Sequence, residues 1–376
     1  METLQKAVNR ITLRFPTVIA GIRRDFFQYH VVPNKVPPRV RKEQKCLAPM
    51  TEKEIESCAF RVLCSGNRIV TEIFHSLADG YGGMVVTNAL VAEYLKLKHS
   101  VPVPVTEMTP DVDCNAEKEE LSDDYFTYAG KKAKAPKHRN VYQLPKNQES
   151  DYTVRVDTKV YQADAILNAA HHYGVTATTL LTAVMAASVM EMQNRYQAEE
   201  RRKKAVQVMV PVNLRKLFPS RTLRNFSLYA LCCMEPQDEN RSFEELLGSI
   251  GDQLAEQTAK EYMETAIAMN TRAARFPLYQ AVPLSLKCII LRLAHRIFGE
   301  CNSCISISNL GVISLPAAME IFIESIDFML TPRTRSPYNC GVVTFHGKIS
   351  INFSRLCKNP YLEEVFFNKL ESVLEI

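Results

Sequence analysis

Two apolar spacings alternate along this chain from end to end, and that alternation constrains its fold more than any single motif. The stretch "NRIVTEIF" (67–74) alternates and is rich in β-branched residues, whereas "YGGMVVTNALVAEYLKL" (81–97) carries apolar residues at helical spacing. The switch recurs. "YQADAILNAAHHYG" and "TATTLLTAVMAASVMEMQNRYQ" read as helices separated by Gly174 and capped at Thr176, and "AVQVMVPVNLRKLFP" and "NFSLYALCCME" then read as strands. Ser242 and Glu245 form a capping box for "SFEELLGSIGDQLAEQTA", "CISISNLGVI" is a further strand, and "GVVTFHGKISINFSR" is a hairpin before a last helix from about Tyr361. Strands interspersed with helices define an α/β or α+β chain.

Near the N-terminus, Leu4, Ala7, Val8, Ile11 and Leu13 share one side of a helix over residues 1–15 that Pro16 closes. "TVIAGIRRDFFQYHVVP" gives two short strands, and the chain to about residue 56 is a Pro- and charge-rich connection. "CAFRVLCSGNRIVTEIFH" is a strand pair turning at "SGN". Residues 100–148 are polar, with "VPVPV", "AEKEELSDD" and "KKAKAPKHR" in succession, which reads as a long functional or mobile connection over the surface. A chain of 376 residues exceeds what one hydrophobic core usually serves. Two lobes are therefore expected: residues 1–148, with the connection, and residues 149–376.

The net charge of +5, from 46 basic and 41 acidic side chains, is too mild to indicate nucleic acid. The densest cluster, "EERRKKA" at 199–205, reads as a helix C-terminus and an exposed turn. The 11 cysteines are scattered apart from Cys232 with Cys233 and the pair Cys301 and Cys304, so zinc-ligand spacing is lacking and reduced, buried thiols are expected. No leader-like N-terminus and no apolar run of about 20 residues is present, which gives a cytoplasmic expectation with no membrane span.

One short motif carries chemistry. In "FHSLADG" (74–80) a strand delivers His75, with Asp79 four residues on and Gly80 after it. An imidazole is the natural general base near neutral pH, and a strand end can hold it while leaving one nitrogen accessible. Asp79 is better placed to brace the loop by pairing with an arginine. Gly80, with Gly82 and Gly83, lets the backbone turn tightly and approach a neighbour closely. His171 and His172 in "NAAHHYGVT" lack the Asp-Gly and end a helix, where cationic side chains are favourable.

"HSLADG" after a strand, with "PVNLRKLFPSRTLRNF", "SNLG" and "GVVTFHGKISINFSR" downstream, resembles the alcohol acetyltransferase and condensation-domain branch of the chloramphenicol acetyltransferase-like superfamily. The resemblance spans nearly the whole chain in the family's order. It implies two similar lobes of mixed sheet flanked by helices, with a tunnel between them. Acyl-CoA would enter the tunnel as a cosubstrate rather than a permanently bound cofactor, with a carrier-protein phosphopantetheine arm as the other donor, and a small alcohol or amine as acceptor. It further implies that His75 removes the acceptor's proton and that Asp79 pairs with Arg215 or Arg224. Ser306, Ser308 and Asn309 of "SISNLG" are placed near the tunnel as candidate oxyanion or substrate contacts, with no metal. Phe74 stands where peptide-forming condensation domains commonly show a second histidine, which leans away from carrier-bound peptide synthesis. The D-F-G-W-G element of plant-type acyltransferases is absent. The opening helix suggests a shortened N-terminus. A non-catalytic binding or scaffolding member of the fold, and a condensation enzyme using carrier-bound acyl groups, are the alternatives.

Overall fold

Leu4, Ala7, Val8 and Ile11 repeat at helical spacing, and this stripe is what α1 (Glu2–Ile11) buries. The computed structural model describes residues 1–130, 140–145, 153–197, 203–272, 276–294, 303–332 and 336–375. The helix stops earlier than its pattern predicts. Leu13 lies beyond it in a turn and is 71% exposed, so it takes no part in the stripe.

Before residue 74 there are five strands. β1 (Ala20–Arg24) and β2 (Tyr29–Pro33) form an antiparallel hairpin. β3 (Arg41–Lys42) runs parallel to β4 (Phe60–Ser65), and β4 runs antiparallel to β5 (Arg68–Ile73), which makes a small mixed sheet. The helix α2 (Gly80–His99) lies against it. Val85, Val86, Ala89 and Leu90 of α2 close one core with Leu4, Val8 and Ile11 of α1 and Phe60 and Val62 of β4.

The second sheet is larger. β6 (Arg155–Gln162), β7 (Val206–Asn213), β8 (Ser227–Met234), β9 (Ile305–Val312), β10 (Tyr338–Phe345) and β11 (Lys348–Arg355) form one six-stranded sheet in the order β6-β11-β10-β9-β7-β8. β9 runs parallel to both β7 and β10, and the other pairs are antiparallel. The architecture is mixed α/β, with sheets of six and three strands.

Alternation along these strands separates two faces. Ile349, Ile351 and Phe353 of β11, Val208 and Val210 of β7, and Ile305 and Ile307 of β9 enter the main core. There they meet α3 (Ala163–His172), α4 (Ala177–Tyr196), α5 (Phe243–Gln257) and α8 (Tyr361–Leu374). Between α5 and α8 come α6 (Lys260–Arg272) and α7 (Leu284–Ala294). Among the described residues no single helix is long and apolar enough to cross a membrane.

Across the sheet, Ser350, Asn352 and Ser354 of β11 are buried on the opposite face. That face is covered closely. A Cβ on Gly341 of β10 would stand 2.1 Å from the carbonyl oxygen of Phe328, so the 328 segment crosses the strand where only glycine leaves room. Val343 and Phe345 of β10 meet Leu95 of α2 in a further core, which ties the large sheet to the helix following the histidine motif.

The long connection differs from its sequence reading. Its described parts are bonded down, because Val141 bridges to Ala205 and the side chains of Glu120 and Asp124 are buried. Arg14 donates to both oxygens of Glu120 at 2.8 Å. The "EERRKKA" cluster falls largely outside the described residues, but Lys203 is within them and pairs with Glu239 at 2.7 Å. Cys301 also lies outside them. Cys304 is buried in the core, where burial pushes its thiol up to about 12. His171 and His172 are exposed at the end of α3.

Candidate active site

β5 ends at Ile73, and a turn then carries His75 before α2 begins at Gly80. The turn is pinned from below. Leu77 and Ala78 are buried, and the Leu77 N–H donates to the Phe74 carbonyl at 2.8 Å. His75 itself is exposed, so its ring is open to an incoming molecule.

Asp79 is the N-cap of α2. One carboxylate oxygen accepts the Gly82 N–H at 3.1 Å, which satisfies a helix donor that would otherwise lack a partner. The other accepts from Arg215 Nη1 at 2.7 Å and from the Phe226 N–H at 2.8 Å. The side chains of Arg215 and Asp79 are 6% and 4% exposed, so this is a buried ion pair. Of the two candidate arginines, Arg215 is the partner. Arg224 pairs instead with Asp123 at 3.3 Å, and its carbonyl accepts from Arg215 Nη2 at 2.7 Å.

Arg215 has further partners. Nε donates to the Thr222 carbonyl at 2.9 Å, Nη1 also reaches Asn213 Oδ1 at 3.2 Å, and the guanidinium lies 4.6 Å from the Tyr81 ring centroid. Burial, with a hydrogen bond to Glu107, pushes the Tyr81 phenol well above its usual range. One guanidinium thereby fixes the loop 222–226 against the start of α2.

Two glycines make the approach close enough. A Cβ on Gly82 would stand 2.1 Å from the Leu223 carbonyl oxygen, and one on Gly80 would stand 2.5 Å from Leu310 Cδ2. Gly82 admits the arginine-bearing loop at its backbone, and Gly80 leaves room for the Leu310 side chain of β9. The connection supports that loop from outside, since the Leu223 N–H donates to the Glu120 carbonyl at 2.9 Å and the Thr222 hydroxyl to the Ser122 carbonyl at 2.6 Å.

Ser306, Ser308 and Asn309 lie on β9, beside Leu310. Ser308 is buried and sits opposite Gly341 in the sheet. Asn309 donates to Thr178 Oγ1 at 3.2 Å and accepts the Gly311 N–H at 2.8 Å, so its amide is engaged at the start of α4.

One residue at the site escaped the sequence reading. Asn225 Nδ2 lies 3.1 Å from His75 Nδ1 and donates to the His75 carbonyl at 3.1 Å. Its place directly after Arg224 in "TLRNF" was the available signal. Among the described residues no group of three or more His, Cys, Asp or Glu side chains is placed to hold a metal ion.

No family model and no curated protein matches the sequence. The fold, in contrast, has many solved counterparts. The epimerization domain from the third module of tyrocidine synthetase B is similar over 100% of this chain and 89% of its own, with a TM-score of 0.56 at 11% identity. Polyketide synthase associated protein 5 from Mycobacterium tuberculosis is similar over 99% of this chain and 90% of its own, with a TM-score of 0.57 at 13% identity. A condensation domain that mediates chain release from the enacyloxin polyketide synthase gives a TM-score of 0.52 at 11% identity, over 99% of this chain and 75% of its own. The chain shares the fold of these condensation- and epimerization-domain structures.

Proposed function

We propose that the protein is a condensation-type acyltransferase that moves an acyl group from a thioester to an alcohol or amine, with an acetyl-CoA-type donor and alcohol acetyltransferase-like activity as its specific form. The observation that carries this reading is the exposed imidazole of His75 on a turn whose base is clamped by the buried Asp79–Arg215 pair. Such a clamp fixes where the ring can go without occupying it.

The reaction requires a proton acceptor and a home for developing charge. The acceptor's oxygen or nitrogen forms a bond to the thioester carbonyl carbon as its proton passes to the imidazole of His75. The carbonyl oxygen becomes an oxyanion, for which hydroxyls of Ser306 and Ser308 are the proposed donors. Collapse breaks the carbon–sulfur bond, and the imidazolium returns the proton to the departing thiolate. Asp79 and Arg215 act on the loop and take no part in the proton's path.

The donor is tested by following free thiol release from acetyl-CoA, longer acyl-CoAs and acyl groups on a carrier protein, each against a panel of alcohols and amines. Acceptor-dependent release from free acyl-CoA is the expected result. Release only from the carrier protein would transfer the reading to carrier-dependent condensation. No acceptor-dependent release from any donor would leave a binding protein on this fold.

A further inference from the structure

The orientation of the Asn225 amide is set from the side away from the histidine. Its Oδ1 accepts the Ser227 N–H at 3.3 Å and the Ser227 hydroxyl at 3.0 Å. A backbone N–H only donates, so the amide oxygen must face it. The amide nitrogen is therefore turned to His75, where it meets the backbone carbonyl and Nδ1, each at 3.1 Å. The carbonyl can only accept, which fixes the same orientation a second time.

An amide NH₂ offers two hydrogens and no acceptor, so Nδ1 of His75 must contribute its lone pair to this contact. A neutral imidazole carries one hydrogen, and here it falls on Nε2. We propose that Asn225 is a positioning residue that holds resting His75 in the Nε2–H tautomer, so that its hold on Nδ1 must be released before Nε2 can take a proton from an acceptor. The second half of this statement rests on the acyl-transfer reading, whereas the tautomer is a property of the resting protein.

The consequence is a site with two settings. While Asn225 stays on Nδ1, the Nε2–H of His75 can donate a hydrogen bond to a carbonyl oxygen but cannot deprotonate an alcohol. Once Asn225 leaves, a hydrogen can reside on Nδ1, and Nε2 presents a lone pair. One net hydrogen bond biases the two tautomers by about fivefold.

The test is a long-range proton–nitrogen NMR correlation on protein carrying ¹⁵N-histidine, at a pH where the ring is neutral, with His75→Gln to assign the signal. In the wild type the unprotonated nitrogen of His75 should be Nδ1. Asn225→Ala should shift the ratio about fivefold toward Nδ1–H, and Asn225→Asp, whose carboxylate only accepts, should make Nδ1–H the major form. An unprotonated Nε2 in the wild type would overturn the proposal without any Asn225 variant having to fold, as would a ratio that is the same in the wild type, Asn225→Ala and Asn225→Asp. Where turnover is measurable, Asn225→Ala should raise kcat at unchanged KM, and a fall in kcat would contradict the hold. If no thiol is released while Nδ1 is found unprotonated, the tautomer assignment stands and the acyl-transfer reading fails.

Discussion

Asp79 and Arg215 stand 136 residues apart in the chain and meet at 2.7 Å, both nearly sealed from water. Their contact links the turn of His75 to the loop of Asn225, so the two sides of the candidate site share one buried joint. The carboxylate also caps α2 and binds the Phe226 N–H, which leaves little freedom in either segment.

Removing either partner strands a buried charge. Asp79→Ala and Arg215→Ala should each cost about 3–5 kcal/mol in urea unfolding. The double variant should cost less than the sum of the two, by about 0.5–3 kcal/mol. Additive losses would mean that the pair is not energetically coupled.

Glycine substitutions should divide by sign. Gly82→Ala places a Cβ 2.1 Å from the rigid Leu223 carbonyl oxygen and should destabilise by about 1–3 kcal/mol, the cost of overpacking. Gly248 lies within α5 with nothing within 4 Å of its would-be Cβ. Gly248→Ala should therefore stabilise by about 0.5–1 kcal/mol, because alanine loses less backbone entropy in a helix. Thermal unfolding of the two variants beside the wild type checks both directions.

Acid should weaken the support behind the 222–226 loop. Burial acts to raise the Glu120 carboxyl, but hydrogen bonds from Arg14 and from the Glu117 N–H outweigh it, and the group sits below its ordinary 4.5. A carboxyl lowered in the folded state contributes stability that is present above the unfolded value and is lost as pH falls through the folded one. Wild type and Glu120→Gln should differ in urea midpoint at pH 7, and the difference should shrink as pH falls below 4.5. A gap that stays constant with pH would show that the charge on Glu120 contributes nothing.

Local pattern made much of this fold legible. The β4–β5 turn, the cap at Thr176, the Ser242 capping box and the hairpin at His346–Gly347 are set by residues within a few positions of one another, and the structure has each of them. Long-range partners were less accessible. Arg215 and Arg224 look alike in sequence, and only the path of the 214–226 loop decides that Arg215 turns inward while Arg224 meets Asp123. The connection at 100–148 is polar in composition, yet Glu120 and Asp124 are buried because Arg14 and Ser220 arrive from distant segments. Asn225 was missed for the same reason, since its partner lies 150 residues away.

The most direct test of the central claim compares wild type with His75→Ala for acceptor-dependent thiol release from an acyl thioester, with urea unfolding of both as a control. His75 is exposed, so unfolding should be nearly unchanged. Release should fall by about 10²–10⁴-fold, the usual contribution of a general base. Equal release from two equally stable proteins would contradict the account.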